Sequence, residues 1–131
     1  MGSFSDAYET KIMNALFGND TIPALTTVYL ALYTTAPSDT GSAGVEVSGN
    51  NYVRARVGMS SATTAATIKN LSTATFQTCT SAAWGTVSSF GLWTDTQTGT
   101  MVFWSTLTVA RTVDVGDQAY FATGSLTAVV D

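Results

Sequence analysis

Residue types that could support chemistry are scarce in this chain. It has no histidine, a single cysteine (Cys79), and nine acidic residues against five basic ones, for a net charge of -4. Without histidine there is no Ser-His or Cys-His nucleophile, no imidazole base and no His-ligated metal site. The two glutamates, Glu9 and Glu46, fall in different predicted elements, so no paired acid and base is indicated. We therefore expect a protein that is not an enzyme and that uses neither a metal nor a cofactor.

Two further groups could be read as reactive or metal-binding, and both have simpler interpretations. Asp114 and Asp117 flank Gly116, but a calcium loop of the EF-hand type needs more oxygen ligands at fixed spacing. Ordinary turn chemistry accounts for all three residues. Cys79 has no histidine to activate it, and we interpret it as a small buried hydrophobic residue.

Tyr52, Arg54 and Arg56 alternate along a predicted strand and would share its outward face. This face is either an ordinary solvated surface or a docking patch for acidic groups of another protein, since Tyr and Arg are enriched at interfaces. Trp93 and Trp104 lie on the two strands of one predicted hairpin, where they could meet. They are either packing residues or a sugar-stacking platform.

Composition narrows the function classes further. The chain has 131 residues, which is typical of one domain, and only 11% are charged, against about 25% in an average protein. Because 45% of residues are hydrophobic and mean hydropathy is +0.21, a folded core is expected. Five basic residues are too few for a nucleic-acid surface, and no apolar run is long enough to span a membrane. These features favour a structural or interaction module.

The first segment predicts a helix from about Ser5 to Phe17. Tyr8, Ile12 and Leu16 recur at helical spacing and form one apolar stripe, with Gly18 as a stop signal. We assign residues 1–20 to a helical arm and residues 21–131 to a β-sandwich within a single domain. The stripe covers either the core of its own domain or a neighbouring subunit.

After Pro23 the chain predicts short strands separated by turns, which is typical of an antiparallel sandwich. Residues 26–35 have apolar side chains on both faces, and residues 45–57 predict a hairpin about 49–51. The strongest hairpin covers 85–109, with its turn at 95–99, whereas residues 60–67 indicate only a weak strand or loop.

The predicted fold class is therefore mainly β, an antiparallel β-sandwich of jelly-roll type with one N-terminal α-helix. Its predicted core contains Val28, Leu30, Val53, Phe76, Leu92, Phe103 and Phe121. Ala55, Val57, Phe90, Met101, Leu107 and Val109 are further inward-facing candidates.

Three segments carry a resemblance to a known family. They are YLALYTTAPSD, the block from Trp84 to Trp93 (WGTVSSFGLW), and the ending V-x-x-GD…F-x-x-G-x-L from Val113 to Leu126. Together with the opening helix they resemble small bacteriophage virion proteins that are often labelled tail-fibre-like. The resemblance covers nearly the whole chain and implies a phage origin and a structural role, with no catalytic residues to transfer.

On this basis we expect a capsid cement, or decoration, protein on the exterior of the virion. It would be a homo-oligomer, most simply a homotrimer, in contact with itself and with the major capsid protein, and with neither nucleic acid nor membrane. The candidate interface residues are Tyr8, Ile12, Leu16, Tyr52, Arg54 and Arg56. The alternative is a tail- or head-fibre tip or adaptor that binds a host receptor or a glycan, for which Trp93 and Trp104 are the candidate platform.

Overall fold

A computed structural model of the chain describes residues 2–61 and 67–129, and it shows a mainly β protein with one helix. The elements are β1 (Ser3–Phe4), α1 (Asp6–Leu16), β2 (Val28–Thr35), β3 (Val45–Glu46), β4 (Ala55–Val57), β5 (Thr67–Lys69), β6 (Ala74–Thr78), β7 (Gly85–Trp93), β8 (Met101–Val113), β9 (Gln118–Phe121) and β10 (Thr127–Val129). The mainly β class with an opening helix is confirmed. Residues 62–66, the middle of the weak segment predicted at 60–67, lie outside the described residues.

One six-stranded antiparallel sheet dominates the structure. Its order is β1-β8-β7-β2-β3, and β4 also pairs with β2. Two small antiparallel pairs, β5 with β10 and β6 with β9, contribute side chains to the same hydrophobic core as this sheet. This arrangement gives the two packed layers that a sandwich requires, while the jelly-roll strand order stays unconfirmed.

Helix α1 begins and ends where its capping residues predict. The Ser5 side chain accepts a hydrogen bond from the backbone N–H of Tyr8, and Asp6 and Glu9 occupy the first turn. At the other end, Asn19 N–H donates to the Asn14 carbonyl at 2.9 Å, while Gly18 has a φ of +76°. Together these contacts form a Schellman cap, which stops the helix after Leu16.

Strand β2 is covered on both faces, as its composition indicates, and both covers come from the same chain. Leu30 and Leu32 face the core, whereas Ala31 and Tyr33 are buried on the opposite face. Part of that second face is covered by the loop of residues 36–44, which brings Gly41 against Met101 and Trp93. The coverage of β2 is therefore not a sign of a partner subunit.

The predicted hairpin at 45–57 is wrong in its pairing. Strands β3 and β4 do not pair with each other; both pair antiparallel with β2 along its free edge. They are two pieces of one strand, interrupted by an excursion whose turn, Gly49 to Asn51, has positive φ at all three residues.

Long-range contacts hold this excursion in place. Asn51 donates to the Thr78 carbonyl at 3.0 Å, and the indole of Trp84 donates to the Asn50 carbonyl at 3.1 Å. The Tyr52 ring stacks on Phe76, and Val53 therefore points outward with 51% of its surface exposed. The expected burial of Val53 is wrong for this reason, while Ala55 and Val57 are buried as predicted.

The hairpin of β7 and β8 is confirmed, with its turn at 94–100. Its register shifts at two places, between Val87 and Ser89 and between Leu92 and Trp93. At the first, Val87 pairs with Arg111 and Ser89 with Thr106, so that residues 107–110 bulge outward from β8. Val109 lies in this bulge and is exposed, which corrects its predicted place in the core. Leu107 is only partly buried.

The remaining core predictions agree with the structure. Val28, Leu30, Phe76, Phe90, Leu92, Met101 and Phe103 are buried, and Phe121 packs against the core from its edge. Asp114 to Asp117 forms the expected turn, with Asp117 N–H donating to the Asp114 carbonyl at 3.0 Å. Cys79 is buried, and its thiol donates to the Ala82 carbonyl.

Candidate functional site

The most connected polar group in the described residues is the guanidinium of Arg54, which follows the excursion and precedes β4. Its Nε and Nη2 donate to the two carboxylate oxygens of Glu46, each at 2.8 Å. Its Nη1 donates to the carbonyls of Asp95 and Thr98, at 3.0 and 3.1 Å. Arg54 therefore holds β3 and the 94–100 turn to the same point with a bidentate ion pair.

Aromatic residues complete this cluster. The Arg54 guanidinium carbon lies 4.1 Å from the centroid of the Trp93 ring, and the Trp93 indole donates to the Tyr33 hydroxyl at 3.0 Å. The Tyr52 hydroxyl accepts from Leu32 N–H and donates to Glu46. We call Tyr33, Glu46, Tyr52, Arg54 and Trp93 the Arg54 cluster.

The electrostatics of the Arg54 cluster follow from its burial and its charges. Burial, reinforced by the negative charge of Glu46, raises the pKa of Tyr33 to about 12 and raises the pKa of Tyr52 further. Burial opposes the charged form of Arg54, but the hydrogen bonds and charge of Glu46 outweigh it and raise the pKa of Arg54. Glu46 therefore stabilises the charged form of Arg54, which is the form that makes the ion pair.

The structure separates the strand residues that the sequence placed on one outward face. Arg54 is only 8% exposed, so its predicted place on an outward face is wrong, and its charge is neutralised within the chain. Tyr52 is half-buried between Phe76 and Trp84. Arg56 is exposed, with one contact to the Thr27 hydroxyl at 3.3 Å. The role of these residues in an interface stays a prediction, and Arg56 is the member whose charge faces solvent.

Trp93 and Trp104 are not cross-strand neighbours. Trp93 pairs with Met101, and Trp104 pairs with Gly91. The Trp104 indole donates to the Asp39 carboxylate at 2.8 Å, so it anchors the 36–44 loop. Both indole N–H groups and one face of Trp93 are thus occupied within the chain, and the sugar platform stays a prediction.

The apolar stripe of α1 divides between the core and the solvent. Tyr8 is buried in the core, Ile12 is half-buried, and Leu16 is 72% exposed. The N-terminal half of the helix therefore covers its own domain, whereas its C-terminal end does not.

Three further apolar residues extend this exposed end. Met13 and Phe17 are exposed beside Leu16 at i, i+3 and i+4 spacing, and Ile22 is a further exposed apolar residue in the irregular segment after the helix. We call Met13, Leu16 and Phe17 the α1 apolar end. Their signal in the sequence is that apolar residues occupy more of the helix surface than one stripe requires.

Residues 2–61 and 67–129 contain neither a metal-ligating cluster nor a helix able to cross a membrane. No group of three or more His, Cys, Asp or Glu side chains is arranged to hold a metal ion there. Asp117 instead accepts a hydrogen bond from Asp114 N–H, at 2.9 Å, within its own turn. In the same ranges, no helix combines the length and the apolar character needed to cross a membrane.

Comparisons with known proteins give one family. The family model described as "Podophage GP4 fiber I protein gp80" matches residues 3–129, which is nearly the whole chain. A search of curated proteins gave no match. The chain therefore belongs to the family of the podophage GP4 fiber I protein gp80, a family of phage fibre-like structural proteins.

Proposed function

We propose that the protein is a structural subunit of a phage fibre and that it joins a second copy of itself through the α1 apolar end. Family membership supports the fibre role. The observation that carries the contact is the exposure of Leu16 and Phe17, at 72% and 73%, at the C-terminal end of a capped helix.

Burial of the α1 apolar end against another protein surface would be favourable in free energy. Burying a Leu or Phe side chain fully stabilises a contact by roughly 1.5–3 kcal/mol. Leu16 and Phe17, together with Met13 one turn earlier on the helix, form an exposed apolar group of the kind that marks protein contacts. In a homotrimer the apolar ends of three copies can pack together around the threefold axis, and we retain the homotrimer as the proposed assembly.

A double substitution tests this contact. Leu16→Ser with Phe17→Ser should weaken self-association about a hundredfold or more, because two buried apolar side chains would be lost from the interface. Sedimentation over a concentration series measures the change. A matched control is Leu71→Ser with Val115→Ser, which alters two equally apolar exposed residues elsewhere.

The control should associate as the unchanged protein does. Equal association of both variants, or a monomeric unchanged protein at micromolar concentration, would contradict the proposed contact.

The second candidate is the capsid cement function, in which the α1 apolar end would contact the major capsid protein. The same exposed residues favour it, because the contact needs an apolar surface and not a particular partner. Cryo-electron microscopy of the particle distinguishes the two functions. Density on the capsid lattice, in a copy number comparable to that of the major capsid protein, supports cement; density confined to a fibre supports the first proposal.

A further inference from the structure

A cavity of about 580 Å³ lies beside the bulge of β8, and no residue of the Arg54 cluster lines it. The bulged residues of β8 border it on one side and β9 borders it on the other, with Leu32 and Val87 at its base. Cavities of roughly 300–1,000 Å³ are typical of small-molecule sites. The bulge at 107–110 is what separates β8 from the sheet at this point.

The lining of this cavity is amphipathic. Its base is apolar, whereas Arg111, Asp117, Gln118 and Tyr120 contribute polar groups and an aromatic ring. Tyr120 is 66% exposed, so its ring surface is available to a ligand. Arg111 lies on β8, Asp117 ends the 114–117 turn, and Gln118 and Tyr120 lie on β9, so the cavity depends on how the chain turns between these two strands.

Several of these polar groups retain capacity to bind. Within residues 2–61 and 67–129, the side chain of Arg111 has neither an ion-pair nor a hydrogen-bond partner. Asp117 uses one carboxylate oxygen, Oδ2, for Asp114 N–H. Gln118 donates its amide to the Phe76 carbonyl, which leaves its own carbonyl oxygen to accept.

We propose that this cavity binds a saccharide that carries a carboxylate group. The Tyr120 ring would contact the apolar C–H face of the sugar, and Arg111 would pair with the carboxylate. The free oxygens of Asp117 and Gln118 would accept hydrogen bonds from sugar hydroxyls. The inference goes beyond the structural role and does not depend on the α1 contact.

Nuclear magnetic resonance with two matched disaccharides tests the proposal on the full chain. The probes are cellobiouronic acid, which carries a carboxylate, and cellobiose, which has a neutral group at the same position. The acidic probe should give saturable shifts in the amide signals of residues 107–113 and 117–121, and cellobiose should bind at least about tenfold more weakly because a charge-assisted bond is lost.

Variants locate the interaction. Arg111→Gln and Tyr120→Ala should each weaken binding of the acidic probe about tenfold, and both residues are exposed enough for the fold to be retained. Arg56→Gln is the matched control, since Arg56 is exposed on β4 at a distant edge of the sheet. It should bind like the unchanged protein.

Three results would overturn the assignment. They are no saturable shift at millimolar probe, equal affinity for the two probes, and equal losses in the Arg56 and Arg111 variants. Shifts at these amides that follow protein concentration and ignore both sugars would assign the cavity to a neighbouring subunit instead. None of these results bears on the sedimentation test of the α1 contact.

Discussion

The Arg54 cluster and the α1 apolar end differ in how their side chains are satisfied: those of the cluster bond to other parts of the same chain, whereas those of the helix end are exposed to solvent. In the cluster, Nε, Nη1 and Nη2 of Arg54 all donate hydrogen bonds to groups of the same chain, and the Trp93 ring covers one face of the guanidinium. At the α1 apolar end, Leu16 and Phe17 face solvent. The Arg, Tyr and Trp side chains of the Arg54 cluster, residue types that interfaces favour, are thus engaged internally, while the apolar side chains at the end of α1 are left exposed.

This difference shows that residue type alone is a weak guide to an interface. A buried polar group that lacked partners would cost free energy, and Arg54 and Tyr52 avoid this cost through contacts within the fold. The exposed apolar side chains at the end of α1, in contrast, are not covered by other residues of the same chain. The unpartnered surface is therefore the more informative one.

The largest expected effect is on the ion pair. Arg54→Ala leaves Glu46 with an uncompensated, partly buried charge and frees the 94–100 turn, so the free energy of unfolding should fall by about 3 kcal/mol. Urea unfolding measures it. Arg56→Ala, its exposed neighbour, should change stability by about 0.5 kcal/mol or less. Equal losses of unfolding free energy in the two variants would show that the buried Arg54 contributes no more to stability than the exposed Arg56.

A smaller effect is expected at the Tyr52 hydroxyl. Tyr52→Phe keeps the stacked ring but deprives Leu32 N–H of its acceptor and Glu46 of a donor, at a cost of about 1–2 kcal/mol. Urea unfolding gives the loss, and hydrogen exchange should accelerate at the Leu32 amide. Unchanged exchange there would mean that the hydroxyl is not the acceptor in solution.

The smallest effect concerns Asp95, at the tip that Arg54 holds. Backbone N–H groups of Gln97 and Thr98 lower the pKa of Asp95. Its contribution to stability should be fully present above the ordinary carboxyl pKa of about 3.9, and should be lost as the pH falls through the lower folded value. Asp95→Asn should therefore be less sensitive to acid than the unchanged protein. Identical pH profiles of the urea midpoint would contradict this.

Local sequence signals predicted the elements well where neighbouring residues decide them. The limits of α1 follow from Ser5 and Gly18, and the β7–β8 turn follows from Asp95 and Gly99. The two-sided burial of β2 also follows from its own alternation. In each case the determining contacts are close along the chain.

The candidate site was less predictable because distant partners determine it. The outward position of Val53 depends on Tyr52 stacking against Phe76, and the burial of Arg54 depends on the Asp95 and Thr98 carbonyls. The β8 bulge that exposes Val109 and borders the cavity has no glycine or proline to mark it. The alternation of apolar and polar residues assigns a side chain to one of the two faces of a strand, but it does not show where a bulge interrupts the pairing.

The junction between β1 and α1 has a mechanical consequence. Ser3 and Phe4 pair with β8, Ser5 bonds to the Met101 and Val102 carbonyls, and Asp6 N–H donates to Asp39. Tension applied to the helix by a neighbouring subunit would pass into the central sheet through these consecutive bonds, with no slack segment between them. The sheet, and not a linker, would carry the pulling force when a fibre is stretched against a cell.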